Sequence, residues 1–332
     1  MKINFLTLNK NDNSGSYRIW VRDLSKTINE IGIESNVKTS IEDIDKDIDV
    51  LILCKSAYKI SFACRQKVGK DVKIGAINID KNYTCNEINF IIVGSPEEYA
   101  SISSYRNVFI YPLIERKFEN IKRKIHHTDG EVLKFCFHGH YPHLFKFRPF
   151  LKHALEYVDK NIRRVSLSVI TGHKDFNWTV DGGKPDIQIK MLPYDENISN
   201  YINDCDIGLV PNVSDVRMFS EEIAKVNSVD WGLYDTDYFM RYKNKTNAGR
   251  SYVFYQHGIP VIHDLSPSSF ELMKITGYNI CAHDTSSWIR EMIFLSSCEN
   301  REKVSKSYYD TFKANYDVHI LAKKLLENIR GV

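Results

Sequence analysis

The residues best suited to chemistry lie in one run, 245–270, with the sequence KTNAGRSYVFYQHGIPVIHDLSPSSF. Two cations, Lys245 and Arg250, fall before and inside the first turn of a predicted helix that begins near Asn247. The first N–H groups of a helix lack intrahelical partners and lie at the positive end of its dipole, so an anion is favoured there. Cations at this position are unfavourable unless an anion accompanies them. The run therefore predicts a phosphate site.

The same run ends this helix and starts another. Gly258 permits a left-handed helix end, the following Ile-Pro prevents continuation, and Val261-Ile262 is a short apolar strand. Ser266 or Ser268 would cap the next helix, with Pro267 in its first turn. Two helix N-termini would then lie at the edge where open α/β sheets bind ligands. The alternative is an ordinary βα unit, which also carries a capped helix and a Gly-Pro stop.

Strand and helix patterns alternate along the whole chain, which is typical of βαβ units around parallel sheets. The predicted strands are 2–8, 50–54, 72–79, 89–93, 108–110, 132–137, 165–171, 187–191, 207–210, 261–262 and 278–282. The predicted helices outside the run above include 17–32, 56–68, 96–103 and 301–331. A length of 332 residues exceeds one ordinary domain. We expect two doubly wound α/β domains.

A polar stretch, 113–130, separates the two halves. The expected domains are 1–120 and 131–300, with a linker at 121–130 and a last helical segment at 301–332. Residues 212–244 are longer than an ordinary connection and rich in aromatic side chains. This insertion would close over an acceptor or pack on itself.

The run 245–262, preceded by YINDCDIGLVP at 201–211, resembles the C-terminal domain of GT-B glycosyltransferases, particularly the retaining group called family four. The resemblance implies a GT-B fold, in which two Rossmann-like domains face a central cleft and the last helix crosses back to the N-terminal domain. One feature departs from the family. Its two glutamates, eight positions apart, correspond here to Lys245 and Val253. The usual glutamate contact to the nucleotide ribose is therefore not carried over.

The resemblance implies transfer of a sugar from a nucleotide-diphosphate donor to a polysaccharide, lipopolysaccharide or lipid-linked acceptor. No metal or cofactor is expected, because fixed cations would take the place of a metal. Lys245 and Arg250 would stabilise the leaving diphosphate. The loop after the first strand of the second domain would supply Arg148 and Lys146. The expected donor-binding residues are His138, Gly139, His140, Lys146, Arg148, Lys245, Thr246, Asn247, Arg250, Ser266, Ser268 and Ser269. A sugar-nucleotide epimerase and a non-catalytic partner subunit on the same fold are alternatives.

A glycine loop follows the first strand and is expected to face the cleft on the acceptor side. Gly15 allows close approach of backbone, Ser14 or Ser16 would cap the next helix, and Arg18 suggests an anion nearby. Asp80, at the end of a predicted strand, is a candidate general base or an N-cap. A tight capped turn without a ligand is the alternative reading of the glycine loop.

Other features exclude several classes of protein. His138, His140 and His143 suggest a metal site, but nothing acidic accompanies them and none is expected. The seven scattered cysteines favour neither disulfides nor a zinc ribbon. A net charge of +3 does not indicate nucleic-acid binding.

The sequence also bears on location. The basic runs 116–127 and 146–164 indicate solvated helix faces or contact with an anionic membrane. No apolar run reaches membrane-spanning length, and the start does not resemble a signal peptide. We expect a cytoplasmic protein, with peripheral association at the inner face of the membrane as the alternative.

Overall fold

A computed structural model describes residues 1–12, 14–79, 85–102, 107–139, 144, 148–172, 184–211, 248–264 and 266–332, except the side chains at 56, 101, 148 and 149. The chain forms two compact units, Met1–Arg116 with Tyr316–Val332, and Lys117–Asn315. The stretch expected to be a linker, 121–130, belongs to the second unit. The segment 301–332 is divided between the two units. No helix among the described residues is long and apolar enough to cross a membrane.

The first unit contains a six-stranded sheet in the order β2-β1-β3-β4-β5-β6, and every strand pairing in it is parallel. Its strands are β1 Lys2–Leu6, β2 Glu34–Lys38, β3 Val50–Cys54, β4 Lys73–Ile77, β5 Phe90–Val93 and β6 Val108–Ile110. Its helices are α1 Gly15–Tyr17, a π-helical stretch Arg18–Asp23, α2 Leu24–Glu30, a 3-10 helix Lys55–Ile60, α3 Ser61–Val68, α4 Pro96–Ser101 and, from the chain end, α11 Val318–Arg330.

The core of the first unit follows from its central strands. All five residues of β3 are buried, as expected for a parallel strand covered on both faces. On one face, α11 contributes Ala322, Leu325 and Ile329 to the cluster that contains Phe5 and Ile52. The last helix of the chain is thus part of the hydrophobic core of the first unit.

The second unit contains another parallel six-stranded sheet, in the order β12-β11-β10-β7-β8-β9. Its strands are β7 Val132–His138, β8 Arg164–Thr171, β9 Gln188–Pro193, β10 Ile207–Val210, β11 Val261–Asp264 and β12 Cys281–Ala282. Its helices are α5 Arg148–Asn161, α6 Ile198–Asn203, α7 Gly249–His257, α8 Pro267–Thr276, α9 Thr285–Phe294 and α10 Cys298–Asn315. The 3-10 turn Arg116–Phe118 lies where the first unit passes into the second.

A glycine sets the packing of α7 on β10. A Cβ added to Gly208 would lie 2.7 Å from the ring of Phe254. The helix can approach the strand this closely only because position 208 has no side chain. The glycine in the IGLVP phrase therefore has a packing role.

The structure corrects two sequence predictions. The edge strand β2 was not predicted, because its residues, ESNVK, are mostly polar and only Ser35 is fully buried. The predicted single helix 301–331 is two helices. Asp317 interrupts it by accepting hydrogen bonds from the N–H groups of His319 and Ile320, both at 2.9 Å, and so caps α11.

Candidate functional site

The start of α7 carries a cation where the sequence predicts one. The helix begins at Gly249, and its N-cap, Ala248, provides no side-chain hydrogen bond. Arg250 lies in the first turn, which contains no acidic residue. Its Cζ atom is 5.5 Å from the centroid of the Phe137 ring. Desolvation lowers the pKa of Arg250 to about 10, so the guanidinium keeps its charge at neutral pH.

The end of β7 fixes this helix start. Gly139 has φ +116°, which strongly favours glycine, and its N–H donates to the carbonyl of Ile170 at 3.0 Å. A Cβ at Gly139 would lie 3.4 Å from Cδ of Arg250. His138 donates from Nε2 to the backbone carbonyl of Arg250 at 3.1 Å. Burial lowers the pKa of His138 to about 3, so its imidazole is neutral. His138 thus holds the helix start and adds no cation to it.

The start of α8 matches its sequence signature. Ser266 is the N-cap and accepts from the N–H of Ser269, and Pro267 occupies the first turn. The hydroxyl of Ser266 also donates to that of Ser269 at 2.9 Å. Ser268 and Ser269 are buried. The choice of Ser266 over Ser268 as N-cap settles the alternative that the sequence left open.

The sheet brings these pieces to one edge. Strands β11, β10 and β7 are neighbours and parallel, so their carboxyl ends lie together. Helix α7 leads into β11 and α8 leaves it, which places both helix starts at that edge. Arg250, Gly139 and the Ser266–Ser269 cap therefore form one cationic, N–H-rich edge. The remaining predicted donor residues, Lys245, Thr246, Asn247, His140 and Lys146, and the side chain of Arg148, lie outside the described residues.

Two buried histidines, His263 and His257, form hydrogen bonds with residues of α7. His263 bonds Ser251 Oγ through Nδ1 at 3.1 Å and Tyr255 Oη through Nε2 at 3.0 Å. His257 donates from Nδ1 to the carbonyl of Val253 at 2.7 Å. Burial lowers the pKa of His263 to about 3 and that of His257 to about 4. Both rings are neutral structural groups: His263 of β11 links the strand to α7, and the hydrogen bond of His257 lies within α7.

The other end of α7 is held by the segment 117–126. Gly258 follows the helix with φ +69°, which confirms the left-handed end predicted from the sequence. A Cβ there would lie 2.3 Å from Cγ of Arg123 and 3.2 Å from the backbone nitrogen of Lys124. His126 Nε2 and Ser305 Oγ both bond the carbonyl of Gly258, at 3.2 and 2.7 Å. The glycine is required both for its backbone angle and for the chain that passes over it.

The basic run 116–127 is explained by internal pairing. Arg116 pairs with Glu30 at 2.9 Å, within the first unit. In the second unit, Arg123 pairs with Glu302 at 2.6 Å, and Lys124 donates to the carbonyl of Cys205 at 2.6 Å. The run contains no α-helix, so the expected solvated helix face is wrong for it. Arg116, Arg123 and Lys124 are engaged inside the units, whereas Lys117 and Lys122 are exposed.

The first unit has a polar cavity at the carboxyl ends of β1, β3 and β4. It is open to solvent. It includes Ser14 and Ser16 of the predicted glycine loop, whose hydroxyls bond each other at 2.9 Å. The lining residues are Thr7, Asn9, Asn11, Ser14, Ser16, Tyr17, Trp20, Val21, Cys54, Lys55, Ile77 and Asn78. The glycine loop predicted from the sequence therefore contributes Ser14 and Ser16 to the lining of this cavity.

Two lining residues have unusual backbone angles. Lys55 has φ +49° and Asn78 has φ +53°, and among the described residues they are the non-glycine positions with positive φ. This conformation costs roughly 1 to 2 kcal/mol for an ordinary residue and less for asparagine. Each follows directly on a buried strand, β3 and β4. Sequence reasoning missed both, because nothing in the local sequence of Lys55 signals a left-handed conformation.

Arg18 does not line the cavity. Its guanidinium forms a bidentate pair with both carboxylate oxygens of Glu115, 2.9 Å from Nε to Oε2, and both side chains are buried. The anion predicted near Arg18 is thus supplied by the protein. Gly15 also lies outside the lining, and a Cβ there would meet only the Arg18 guanidinium at 3.9 Å. Asp80, the candidate general base, falls outside the described residues.

Solved structures of the same architecture include several glycosyltransferases. A glycosyltransferase from Rickettsia africae has a TM-score of 0.65 at 11% identity, with 99% of this chain and 98% of that chain covered. Anabaena HepE in complex with UDP and glucose has a TM-score of 0.59 at 12% identity, with both chains fully covered. Staphylococcus aureus TarM has a TM-score of 0.54 at 12% identity over 84% of this chain, which spans 55% of the TarM chain.

Sequence comparison gives no closer relation. No protein-family model and no curated protein matches the chain. At 11 to 12% identity, the structural likeness establishes the architecture alone. Two parallel six-stranded sheets with flanking helices, in a chain that matches the Rickettsia and Anabaena structures over nearly their whole length, give the chain the GT-B fold.

Proposed function

We propose that this chain is a glycosyltransferase that uses a nucleotide-diphosphate sugar as donor. The observation that carries the proposal is the cationic carboxyl edge of the second sheet. Arg250 lies in the first turn of α7, beside Gly139, and the capped start of α8 shares the same edge. In open α/β sheets this edge binds ligands, and helix N-termini there bind phosphate. HepE, which has the same architecture, was solved with UDP and glucose.

The chemistry assigned to this edge is electrostatic. When the bond from the sugar to the diphosphate breaks, negative charge develops on the leaving oxygen. A guanidinium and helix N–H groups already in place stabilise that charge without reorganisation. Arg250, with Lys245 from the adjoining segment, would carry this role. Thr246, Asn247, His140, Lys146 and Arg148 would complete the donor site as further proposals from the sequence.

The proposal assigns the acceptor to the first unit. Ser14 and Ser16 line its cavity, and Asp80 remains a proposed cleft residue. A polysaccharide, a lipopolysaccharide and a lipid-linked glycan are the acceptor classes we propose. A cytoplasmic location, at the inner face of the membrane for a lipid-linked acceptor, belongs to the same proposal. It draws no support from the internally paired cations of the run 116–127.

Metal independence is also proposed, because fixed cations at the donor edge can neutralise the diphosphate. The experiment is hydrolysis and transfer assayed over a panel of nucleotide sugars, before and after exhaustive chelation. Release of nucleoside diphosphate from at least one donor, unchanged after chelation, supports both parts. Activity that requires added magnesium or manganese would overturn metal independence alone. Absence of donor turnover together with absence of nucleotide binding would overturn the enzyme assignment.

A further inference from the structure

We propose that the cavity of the first unit binds an acceptor sugar that bears one anionic group, a phosphate or a carboxylate, and that Lys55 binds this group. The inference rests on the proposed function and adds the substrate class. It makes Lys55 a specificity-determining residue.

The lining of the cavity suits a molecule with many hydroxyl groups. Hydroxyls and carboxamides both donate and accept hydrogen bonds, as sugar hydroxyls do. Tyr17 is partly exposed and adds aromatic surface, against which the apolar face of a sugar ring can pack. The polar neutral residues are Thr7, Asn9, Asn11, Ser14, Ser16 and Asn78.

The charge of the lining is unbalanced. Lys55 is the one basic residue among the twelve lining residues, and none of the twelve is acidic. Desolvation raises the pKa of Tyr17 and of the Cys54 thiol, so both stay neutral. Two charged groups nearby are paired elsewhere, Arg18 with Glu115 and Asp12 with Arg22 at 2.7 Å. Among the described lining residues, Lys55 is thus a cation that no carboxylate accompanies.

The backbone places Lys55 directly after β3, at the carboxyl edge of the sheet. Cys54 pairs with Ile77 at the ends of β3 and β4, so Lys55 and Asn78 follow side by side. Both adopt positive φ at that point. A lysine persists in this conformation only where the surroundings hold it, and such positions cluster at functional sites. Lys55 is exposed, so an incoming ligand can reach its ammonium.

The test compares neutral and anionic sugars on the full chain saturated with UDP. Calorimetry would use common hexoses and hexosamines, each as the free sugar, the 1-phosphate, the 6-phosphate and the uronic acid, with inorganic phosphate as a separate probe. Lys55→Asn removes the charge and tolerates positive φ. Lys70→Asn is the matched control, an exposed lysine of the same unit outside the cavity.

We expect at least one anionic sugar to bind about tenfold more tightly than its neutral parent and than inorganic phosphate. Lys55→Asn should reduce that preference to about twofold or less, and Lys70→Asn should leave it unchanged. The inference is overturned if no anionic sugar binds, or if the neutral parents or inorganic phosphate bind as tightly as the anionic sugars. It is also overturned if Lys55→Asn keeps the preference for the anionic sugar. Binding of UDP and of the other nucleoside diphosphates is measured in the same samples. Failure of the wild type to bind any nucleoside diphosphate would instead overturn the proposed function.

Discussion

The two units each contain a six-stranded parallel sheet, but the residues at the carboxyl edges of the two sheets differ. In the second unit the edge combines Arg250 with two helix starts, and neutral buried histidines support it from behind. In the first unit the described lining residues carry hydroxyls, carboxamides and apolar groups, with Lys55 as the one cation among them. The proposed function assigns a diphosphate to the former edge and a sugar to the latter. One backbone plan would then accommodate two ligand chemistries through its loops, as is general for α/β folds.

The units also differ in how they bury ionisable groups. The described part of the second unit buries four histidines in the neutral form, His126, His138, His257 and His263. The first unit has one histidine, His319, which is half-buried and pairs with Glu30 at 3.0 Å. The first unit instead buries the ion pair of Arg18 and Glu115. Acid should therefore act on the two units unequally.

The largest expected effect is selective loss of the second unit in acid. The four histidines have folded pKa values of about 3 to 4, below the unfolded value near 6.5. Above pH 6.5 these histidines are neutral in both the folded and the unfolded chain, so their burial does not make stability depend on pH there. As the pH falls towards 4, the unfolded chain binds protons that the folded unit does not, at a cost of about 1 to 2 kcal/mol per histidine by pH 5.

Hydrogen exchange measured by mass spectrometry, corrected for intrinsic rates, can follow this difference. Peptides from β7 and β8 should lose protection between pH 7.5 and 5, while peptides from β3 and β4 keep more of theirs. An equal loss in both units would show that the histidines do not distinguish them.

The second prediction concerns the buried pair of the first unit. Arg18→Ala leaves the Glu115 carboxylate buried without its partner, which should lower the free energy of unfolding by about 3 to 5 kcal/mol. The double variant Arg18→Leu with Glu115→Leu should lose less, because no charge remains buried. Urea denaturation measures both. If Arg18→Ala keeps its stability and loses acceptor binding, Arg18 serves a ligand after all.

The third prediction separates backbone strain from packing in the second unit. Gly258 and Gly277 both follow helices with positive φ, but an added Cβ meets nothing within 4 Å at Gly277 and lies 2.3 Å from Arg123 at Gly258. Gly277→Ala should cost about 1 kcal/mol and Gly258→Ala about 3 kcal/mol. Chemical denaturation of the two variants compares them directly. Equal costs would mean that the segment 117–126 moves away easily.

The features predictable from the sequence were those with local causes. The bounds of β3, β6 and β10 follow from apolar runs, and Ser266-Pro267 and Gly258 follow from helix-end chemistry. The features that the sequence did not predict depend on distant partners. Glu115 lies 97 positions from Arg18, so the local sequence around Arg18 suggested an external anion.

The candidate site divides in the same way. The position of Arg250 at a helix start follows from the local sequence and was predicted. The lining of the first cavity was not predicted as a whole, because it is assembled from three strand ends. Lys55 and Asn78 come together only because β3 and β4 pair in a particular register. Ser14 and Ser16 were found through their glycine loop, and the residues opposite them required the sheet.

The last prediction tests the central claim, that the cationic edge of the second unit binds a nucleoside diphosphate. The measurement is calorimetric titration of UDP and GDP into the wild type, Arg250→Gln and Arg164→Gln, a matched control at the opposite edge of the same sheet. The wild type should bind one of the two nucleotides. Arg250→Gln should weaken this binding by about 1.5 to 3 kcal/mol, and Arg164→Gln should leave it unchanged. Unchanged affinity in a folded Arg250→Gln, or equal losses in both variants, would contradict the account.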